Sequence, residues 1–124
     1  MTSSSCVFCR IVAGEIPATF VHQDDAVVAF RDVAPTAPVH VLVVPRRHVA
    51  NVLDLATGDG DAAAATALSA RLLEVVARVV RDEGLDAPDK GFRLVTNTGP
   101  EGGQSVDHLH LHILGGRRFT WPPG

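Results

Sequence analysis

The segment His108-Leu109-His110-Leu111-His112-Ile113-Leu114 alternates imidazole and aliphatic side chains at a strict two-residue spacing. Successive side chains of a β-strand point to opposite faces, so this spacing predicts a strand whose three histidines share one face. The aliphatic side chains would then face the core. Imidazole transfers protons, attacks electrophiles and binds metals near neutral pH. The segment therefore predicts a core strand whose histidine side chains also take part in a reaction or bind a metal.

The length of 124 residues and the content of 46% hydrophobic and 20% charged residues are typical of a globular protein with one domain. We expect a single domain over residues 1–124, with residues 1–5 disordered and residues 115–124 as a C-terminal tail. The net charge of −3 argues against a nucleic-acid partner. No membrane span or secretory signal is visible, which predicts a cytoplasmic protein without a membrane partner.

The remaining sequence predicts an α+β fold with a five-stranded antiparallel sheet. The predicted strands are 19–22, 27–31, 39–44, 92–97 and 107–114, and Asp24 with Asp25 suits a hairpin turn between the first two. A long helix over 61–81 is indicated by an apolar stripe at helical spacing. Asp59 or Asp61 could cap this helix, and Gly84 suits the position after its end. A short helix is predicted over 50–55.

A glycine-rich segment, residues 97–105, precedes the histidines. Glycines allow a backbone to approach an anion closely, and successive N–H groups can surround it. Asn97, Gln104 and Ser105 add side-chain donors. An ordinary turn is the alternative, but the position beside the histidines favours a phosphate-binding loop. Together the two segments would place a nucleophile or base beside oxyanion donors.

The three histidines cannot all bind one metal ion, because His108 and His112 would lie roughly 13 Å apart along a strand. We therefore expect them to divide between two functions. Cys6-Val7-Phe8-Cys9 is consistent with a redox pair, a disulfide or half of a zinc site. No strand precedes it as a redox motif needs, and a cytoplasmic disulfide is disfavoured. Zinc would need two more ligands, and two free cysteines remain the alternative.

The histidine segment resembles the His-φ-His-φ-His-φ-φ motif of the histidine-triad (HIT) superfamily, where φ is a hydrophobic residue. Other segments are similar to its Hint branch, which contains purine nucleoside phosphoramidases; they are 16–18, 29–32, 37–40, 102–106 and 114–124. The Gly-Gly-Arg at 115–117 also favours this branch over the Fhit-like dinucleoside-polyphosphate branch. The resemblance implies hydrolysis of purine nucleoside 5′-phosphoramidates, or related mixed anhydrides, without a catalytic cofactor.

The resemblance also implies catalytic roles. His110 would attack the α-phosphorus and form a nucleotidyl-histidine intermediate, and His112 would contact the phosphate and the leaving group. His40 would orient the histidines, and Ser105 would bind the leaving-group nitrogen or a phosphate oxygen. Asp32 would accept hydrogen bonds from the ribose hydroxyls. The other implied nucleotide-binding residues are Asn97, Gly103, Gln104, Ser105 and Val106, the purine-slot residues Phe8, Ile11, Ile16, Phe30 and Val33, and Trp121 in the tail.

Related bacterial HIT proteins pair a CxxC motif with two histidines. By that resemblance a structural zinc ion would be bound by Cys6, Cys9, His48 and His108. The resemblance further implies a homodimer whose sheet continues across both copies, with the tail reaching toward the partner's active site; a frayed tail is the alternative. The chain departs from the Hint pattern at Asp107, where tyrosine is usual, and at Arg31, where histidine is usual.

Two other functions stay open at this point. The chain could hydrolyse dinucleoside polyphosphates, or it could be a nucleotide-binding regulatory or scaffold protein with incidental hydrolysis. Because all the catalytic residue types are present, the scaffold function ranks lower. His22, at the end of a polar strand, is interpreted as a surface residue.

Overall fold

The computed structural model describes residues 5–57 and 60–124. Within these ranges the strands are β1 (Phe20–Gln23), β2 (Val27–Arg31), β3 (Val39–Pro45), β4 (Phe92–Val95) and β5 (Leu111–Gly115). The helices are α1 (Val7–Val12), α2 (Val52–Thr57), α3 (Ala62–Asp82) and α4 (Gly99–Gly102). The predicted disorder of residues 1–4 and the alternative cap Asp59 lie outside the described residues, and Ser5 forms a turn before α1.

The five strands form one antiparallel sheet in the order β1-β2-β3-β5-β4, which confirms the predicted α+β fold. Both faces of its centre are buried. Val41 and Val43 belong to a core that includes α3, whereas Leu42 and Val44 belong to a second core that includes α1. This explains why β3 is apolar without interruption from Val41 to Val44. Within the described ranges no helix combines the length and hydropathy that a membrane span needs.

Helix α3 has the ends and the buried face that the sequence predicts. The Asp61 carboxylate accepts a hydrogen bond from the Ala63 N–H at 2.9 Å, and Gly84 follows the last turn with a φ of +74°. A left-handed residue at this position satisfies the last carbonyls of a helix. The buried side chains of its apolar stripe are Leu72, Val75 and Val79, and Leu68 packs at their edge.

Two helices were not predicted, and the short helix begins two residues later than expected. Helix α1 forms where no helix was predicted, because the Cys6 sulfur accepts a hydrogen bond from the Cys9 N–H and acts as its N-cap. Helix α4 is a single turn within the glycine-rich segment. Both are too short for hydrophobic periodicity to reveal them.

The last strand is shorter than predicted. The sequence placed its start at residue 107, but β5 begins at Leu111, opposite Val43 of β3. The preceding Leu109 donates its N–H to the carbonyl of Val49, in the connection after β3, at 2.6 Å. His108 and His110 therefore lie outside the sheet ladder. The alternation nevertheless persists, since Leu109, Leu111 and Ile113 are all in the α3-side core.

Asp24 stabilises the turn between β1 and β2. One of its partners is His22, so the prediction that His22 is a surface residue is wrong. The His22 side chain is only 9% exposed and forms a 2.7 Å hydrogen bond with the Asp24 carboxylate. The same carboxylate accepts from the N–H groups of Ala26 and Val27 and from Arg71 of α3. Burial opposes the charged form, but the bonds from His22, the two amides and Arg71 together hold the pKa of Asp24 well below its usual range.

Candidate functional site

The histidine segment ahead of β5 is fixed by three hydrogen bonds to other parts of the chain. The His108 ring bonds through Nε2 to the Pro45 carbonyl at 2.8 Å, and Leu109 bonds to Val49 as described. The Thr96 hydroxyl donates to the His110 carbonyl at 3.0 Å. Thr96 was not recognised from the sequence, because a single threonine near a strand end carries no signal of its partner. These bonds replace the missing sheet ladder.

One hydrogen bond determines which nitrogen of His110 is available for reaction. His110 Nδ1 lies 2.7 Å from the carbonyl oxygen of His108. A carbonyl only accepts, so Nδ1 carries the hydrogen. In the neutral ring, Nε2 then holds an unshared electron pair. The structure therefore prepares Nε2 of His110 to act as a nucleophile or base.

A chain of hydrogen bonds places the ring hydrogen of His112 on Nε2, the opposite nitrogen from that in His110. The Thr36 N–H donates to His40 Nδ1 at 3.1 Å, so the hydrogen of the neutral His40 ring lies on Nε2. That Nε2 is 2.9 Å from His112 Nδ1 and 3.3 Å from an oxygen of Asp32. His112 Nδ1 accepts, and its hydrogen lies on Nε2. We call this chain the Thr36–His40–His112 relay.

The relay ends at an unused donor. Among the described residues, His112 Nε2 is the one buried side-chain nitrogen or oxygen without a hydrogen-bond partner. A buried donor without a partner is costly, which marks it as a place for a ligand atom. The His110 and His112 rings are 4.9 Å apart between centroids. An electron-pair donor and an N–H donor thus lie side by side.

Burial keeps both relay histidines neutral. Burial, assisted by the neighbouring rings of His110 and His40 and opposed by the Asp32 carboxylate, lowers the pKa of His112 to about 4. Burial also lowers the pKa of His40, and Asp32 again opposes the change. At neutral pH the relay therefore offers a neutral N–H rather than a charged one.

Asp32, His40 and His112 come close enough together to be considered as metal ligands. The Thr36 N–H on His40 Nδ1 argues against that use. A metal on His40 Nε2 would require a ring without any hydrogen, and such an imidazolate is rarely formed near neutral pH. The arrangement instead suits hydrogen bonding.

A second cluster consists of Cys6, Cys9, His48 and His108, whose ligand atoms all lie within 4.8 Å of one another. The sulfur–nitrogen distances are 3.3 Å from Cys6 to His108, 3.5 Å from Cys9 to His108 and 3.2 Å from Cys9 to His48. Ligands of a tetrahedral zinc ion are about 3.5 Å apart. Both cysteines are free thiols.

The surroundings of this cluster also fit a metal. His108 Nε2 donates to the Pro45 carbonyl, so the electron pair of the neutral ring lies on Nδ1, which faces the two sulfurs. Burial raises the pKa of the Cys6 thiol, although the Cys9 N–H opposes this. A bound divalent cation would stabilise the thiolate there. The donor set is one that zinc favours.

Phe8 connects the cysteine–histidine cluster to His110. Its ring packs edge-on against His108 and His110, with centroid distances of 5.9 Å and 5.0 Å, and against Phe30 at 5.6 Å. Of the five predicted purine-slot residues, Phe8, Ile11 and Phe30 are buried together and Ile16 packs at their edge. Val33 is 96% exposed and stands apart from this cluster.

The glycine-rich segment is organised by Gln104, whose side-chain hydrogen bonds differ from the expectation. Its amide nitrogen donates to the carbonyls of Ala50 and Val106, and its oxygen accepts from the Gly99 N–H. Both side-chain donors are thus used within the chain and are unavailable to a phosphate. Gly103 has a φ of +77°, which favours glycine, and Ser105 is exposed beside it.

The C-terminal tail is anchored at Phe119 and not at Trp121. The Arg117 and Arg93 guanidinium carbons lie 4.2 Å and 5.2 Å from the Phe119 ring centroid. Arg93 also donates to the Thr120 carbonyl. Trp121 is 82% exposed, so within one chain it does not reach the histidines.

Comparisons with known proteins show the family of this chain. A family model described as the HIT domain matches residues 13–119. An uncharacterised HIT-like protein of Synechococcus elongatus is 49% identical, with 98% of this chain and 99% of that protein covered. A 14 kDa zinc-binding protein of Brassica juncea is 45% identical (95% and 98% covered). The adenylylsulfatase HINT1 of Arabidopsis thaliana is 44% identical (99% and 79% covered).

Solved structures show the same fold. A HIT family hydrolase from Legionella pneumophila Philadelphia 1 superposes with a TM-score of 0.86 at 45% identity, covering 97% of this chain and 100% of that one. A histidine triad protein from Clostridium difficile gives a TM-score of 0.85 at 39% identity, with 97% of each chain covered.

The pKa of His112 leads to a testable prediction. In nitrogen-15 NMR spectra its ring should titrate with a midpoint near pH 4 in the folded protein. In the urea-unfolded chain it should titrate near the ordinary value of about 6.5. Because only the unfolded chain then takes up this proton, His112 should lower the free energy of unfolding as the pH falls from about 6.5 to about 4. A folded-state midpoint near 6.5 would contradict the buried relay.

Proposed function

Because the chain belongs to the HIT domain family, we propose that it hydrolyses purine nucleoside 5′-phosphoramidates through a nucleotidyl-histidine intermediate. The observation that carries this proposal is the pairing of a bare Nε2 on His110 with the unused Nε2–H of His112. The first can form a bond to phosphorus while the second stabilises a phosphoryl oxygen or the departing group.

The reaction has two displacements. In the first, the electron pair of His110 Nε2 forms a bond to the α-phosphorus, the P–N bond of the substrate breaks, and its electron pair leaves with the amine, which takes up a proton from solvent. In the second, water attacks the same phosphorus and releases a proton to solvent, while the P–N bond to His110 breaks and its electron pair returns to Nε2. The products are the amine and a nucleoside monophosphate, and His110 is restored. Division into two steps avoids direct attack by water on the substrate.

The nucleotide would lie along the buried aromatic residues and Asp32. One Asp32 oxygen accepts from the Ala34 N–H at 2.8 Å, which fixes the carboxylate while leaving acceptor capacity for ribose hydroxyls. Phe8 and Phe30, with Ile11 and Ile16, offer an apolar surface for the purine. Val33 would cover the base from its exposed position. The phosphate would contact the other predicted loop residues, Asn97, Gly103, Ser105 and Val106, with Gln104 holding the loop in shape.

A second candidate substrate is adenylyl sulfate, because a relative that is 44% identical is named an adenylylsulfatase. The same His110 attack would release sulfate instead of an amine. A kinetic panel of AMP- and GMP-linked phosphoramidates, adenylyl sulfate and diadenosine polyphosphates separates these candidates. Tight nucleotide binding with negligible turnover of the entire panel would instead favour a regulatory or scaffold protein.

Substitution of the nucleophile tests the mechanism. His110→Ala should lower kcat for an adenosine phosphoramidate by about a thousandfold or more, because the bond-forming nitrogen is removed. AMP binding, measured by calorimetry, should remain largely intact. His22→Gln, in β1 and outside both clusters, is the matched control and should leave kcat unchanged. Turnover by His110→Ala at the wild-type rate would refute the assignment.

We also propose that Cys6, Cys9, His48 and His108 bind a structural zinc ion. Their distances, the orientation of His108 and the similarity to a zinc-binding protein support this. The ion would crosslink α1 to the turn after β3 and to the histidine segment. Its thiolates persist in a reducing compartment, which supports the predicted cytoplasmic location.

Metal analysis tests the zinc site. Protein purified without chelator should contain about one zinc ion per chain, and Cys9→Ser should lose most of it and unfold at a lower temperature. His40→Gln alters only the relay and should retain the zinc. Absence of near-stoichiometric zinc from the wild-type protein would refute the site.

Finally, we propose a homodimer in which the sheets of two copies join at β4. This strand has a neighbour on one side only, and its Phe92 and Leu94 are 44% and 39% exposed. An exposed apolar edge strand readily pairs with another strand. The tail, which follows β5 and is held to β4 by Arg93, would then lie near the partner.

Sedimentation equilibrium tests the dimer. The wild-type protein should have twice the chain mass of 13.1 kDa. Leu94→Lys should shift it toward the monomer, because a buried charge opposes edge pairing. Val52→Lys, at a residue of equal exposure at the start of α2, should leave the dimer intact. A monomeric wild-type protein at micromolar concentration would refute the proposal.

A further inference from the structure

A cavity of about 370 Å³ lies beside the glycine-rich segment, on the side of the N-terminal turn. Its wall includes Ser105 and Asp107 together with Cys6 and His48 of the proposed zinc site. The volume is within the range of small-molecule sites. The relay and the apolar purine surface do not account for it, since no residue of either lines it.

The charged group of this cavity is the Asp107 carboxylate. Asp107 is exposed, and no ion pair or side-chain hydrogen bond involves it anywhere in residues 5–57 and 60–124. Neither lysine nor arginine is present among the described residues that line the cavity. Its acidic charge is therefore neither used in folding nor neutralised by a neighbour.

We propose that Asp107 selects substrates whose leaving group carries a positive charge. The inference rests on the proposed phosphoramidase function, in which Ser105 contacts the leaving-group nitrogen. Ser105 and Asp107 lie two residues apart and line the same cavity. An amine held at Ser105 that continues into this cavity would bring a terminal ammonium group to the Asp107 carboxylate, whereas a terminal carboxylate would be repelled there.

The position of Asp107 makes it a specificity residue and not a catalytic one. It contacts the end of the leaving group, far from the bond that breaks, so its charge should affect substrates with charged tails and leave neutral ones unchanged. An ion pair between exposed groups changes affinity by a factor of up to about five. Because repulsion of the anion adds to attraction of the cation, the ratio between the two substrates should be about ten.

The experiment compares three adenosine 5′-phosphoramidates with alkyl amines of equal length, ending in an ammonium, a methyl or a carboxylate group. The wild-type kcat/KM should be about tenfold or more higher for the ammonium than for the carboxylate substrate. Asp107→Asn, which keeps the size of the side chain, should reduce this ratio to about one or two. Asp107→Lys should invert it. Raising the salt concentration should diminish the wild-type preference.

The controls separate this inference from the function on which it rests. Asp86→Asn also removes one exposed carboxylate, but its position after α3 does not line the cavity, and it should retain the wild-type ratio. All variants should hydrolyse the methyl substrate at the wild-type rate. If the methyl substrate is turned over but Asp107→Asn keeps the wild-type ratio, the role of Asp107 is refuted alone. If the wild-type protein hydrolyses none of the three, the proposed function is refuted and this inference with it.

Discussion

The hydrogen bond from His110 Nδ1 to the His108 carbonyl is the interaction on which the site depends. It decides which ring nitrogen of His110 has a free electron pair, and it links His110, the proposed nucleophile, to a residue of the Cys6–Cys9 cluster. The His108 carbonyl can accept this bond because residue 108 lies outside the sheet ladder. Within the ladder a backbone carbonyl would be bonded to the neighbouring strand. The shortened β5 therefore accompanies this bond, and the hydrogen bonds of the segment to Pro45, Val49 and Thr96 compensate for the lost ladder.

The cysteine–histidine cluster and the relay both use the histidine segment, but they require different arrangements of ring hydrogens. The metal-type cluster needs electron pairs directed at one point, and the relay needs an alternation of donors and acceptors. Each need is met by a backbone group at its edge, the Pro45 carbonyl for His108 and the Thr36 N–H for His40. Phe8 packs against both His108 and His110, so a change at one cysteine would alter the packing around His110.

The sequence predicted those helices and strands whose formation depends on residues that are close together along the chain. The stripe and caps of α3 and the strand 27–31 are examples, since periodicity and turn chemistry act over a few positions. The structure also brings together the four residues predicted for zinc, which the family resemblance had grouped from distant parts of the chain. The start of β5, the bond of Thr96 to His110 and the bond of Gln104 to Ala50 depend on partners that are distant in the sequence and that the tertiary fold brings close. Spacing in the sequence carries no information about such partners.

The first donor of the relay is a peptide N–H, and this keeps the direction of its hydrogen bonds constant. A peptide N–H neither gains nor loses a proton over the pH range in which proteins fold, so the donor at the head of the chain never changes identity. Had a serine hydroxyl or a third histidine occupied the place of Thr36 N–H, the order of donors and acceptors could run in either direction. The Thr36 N–H therefore fixes the direction in which hydrogen bonds are donated along the relay. It thereby also fixes which ring nitrogen of His112 carries the hydrogen.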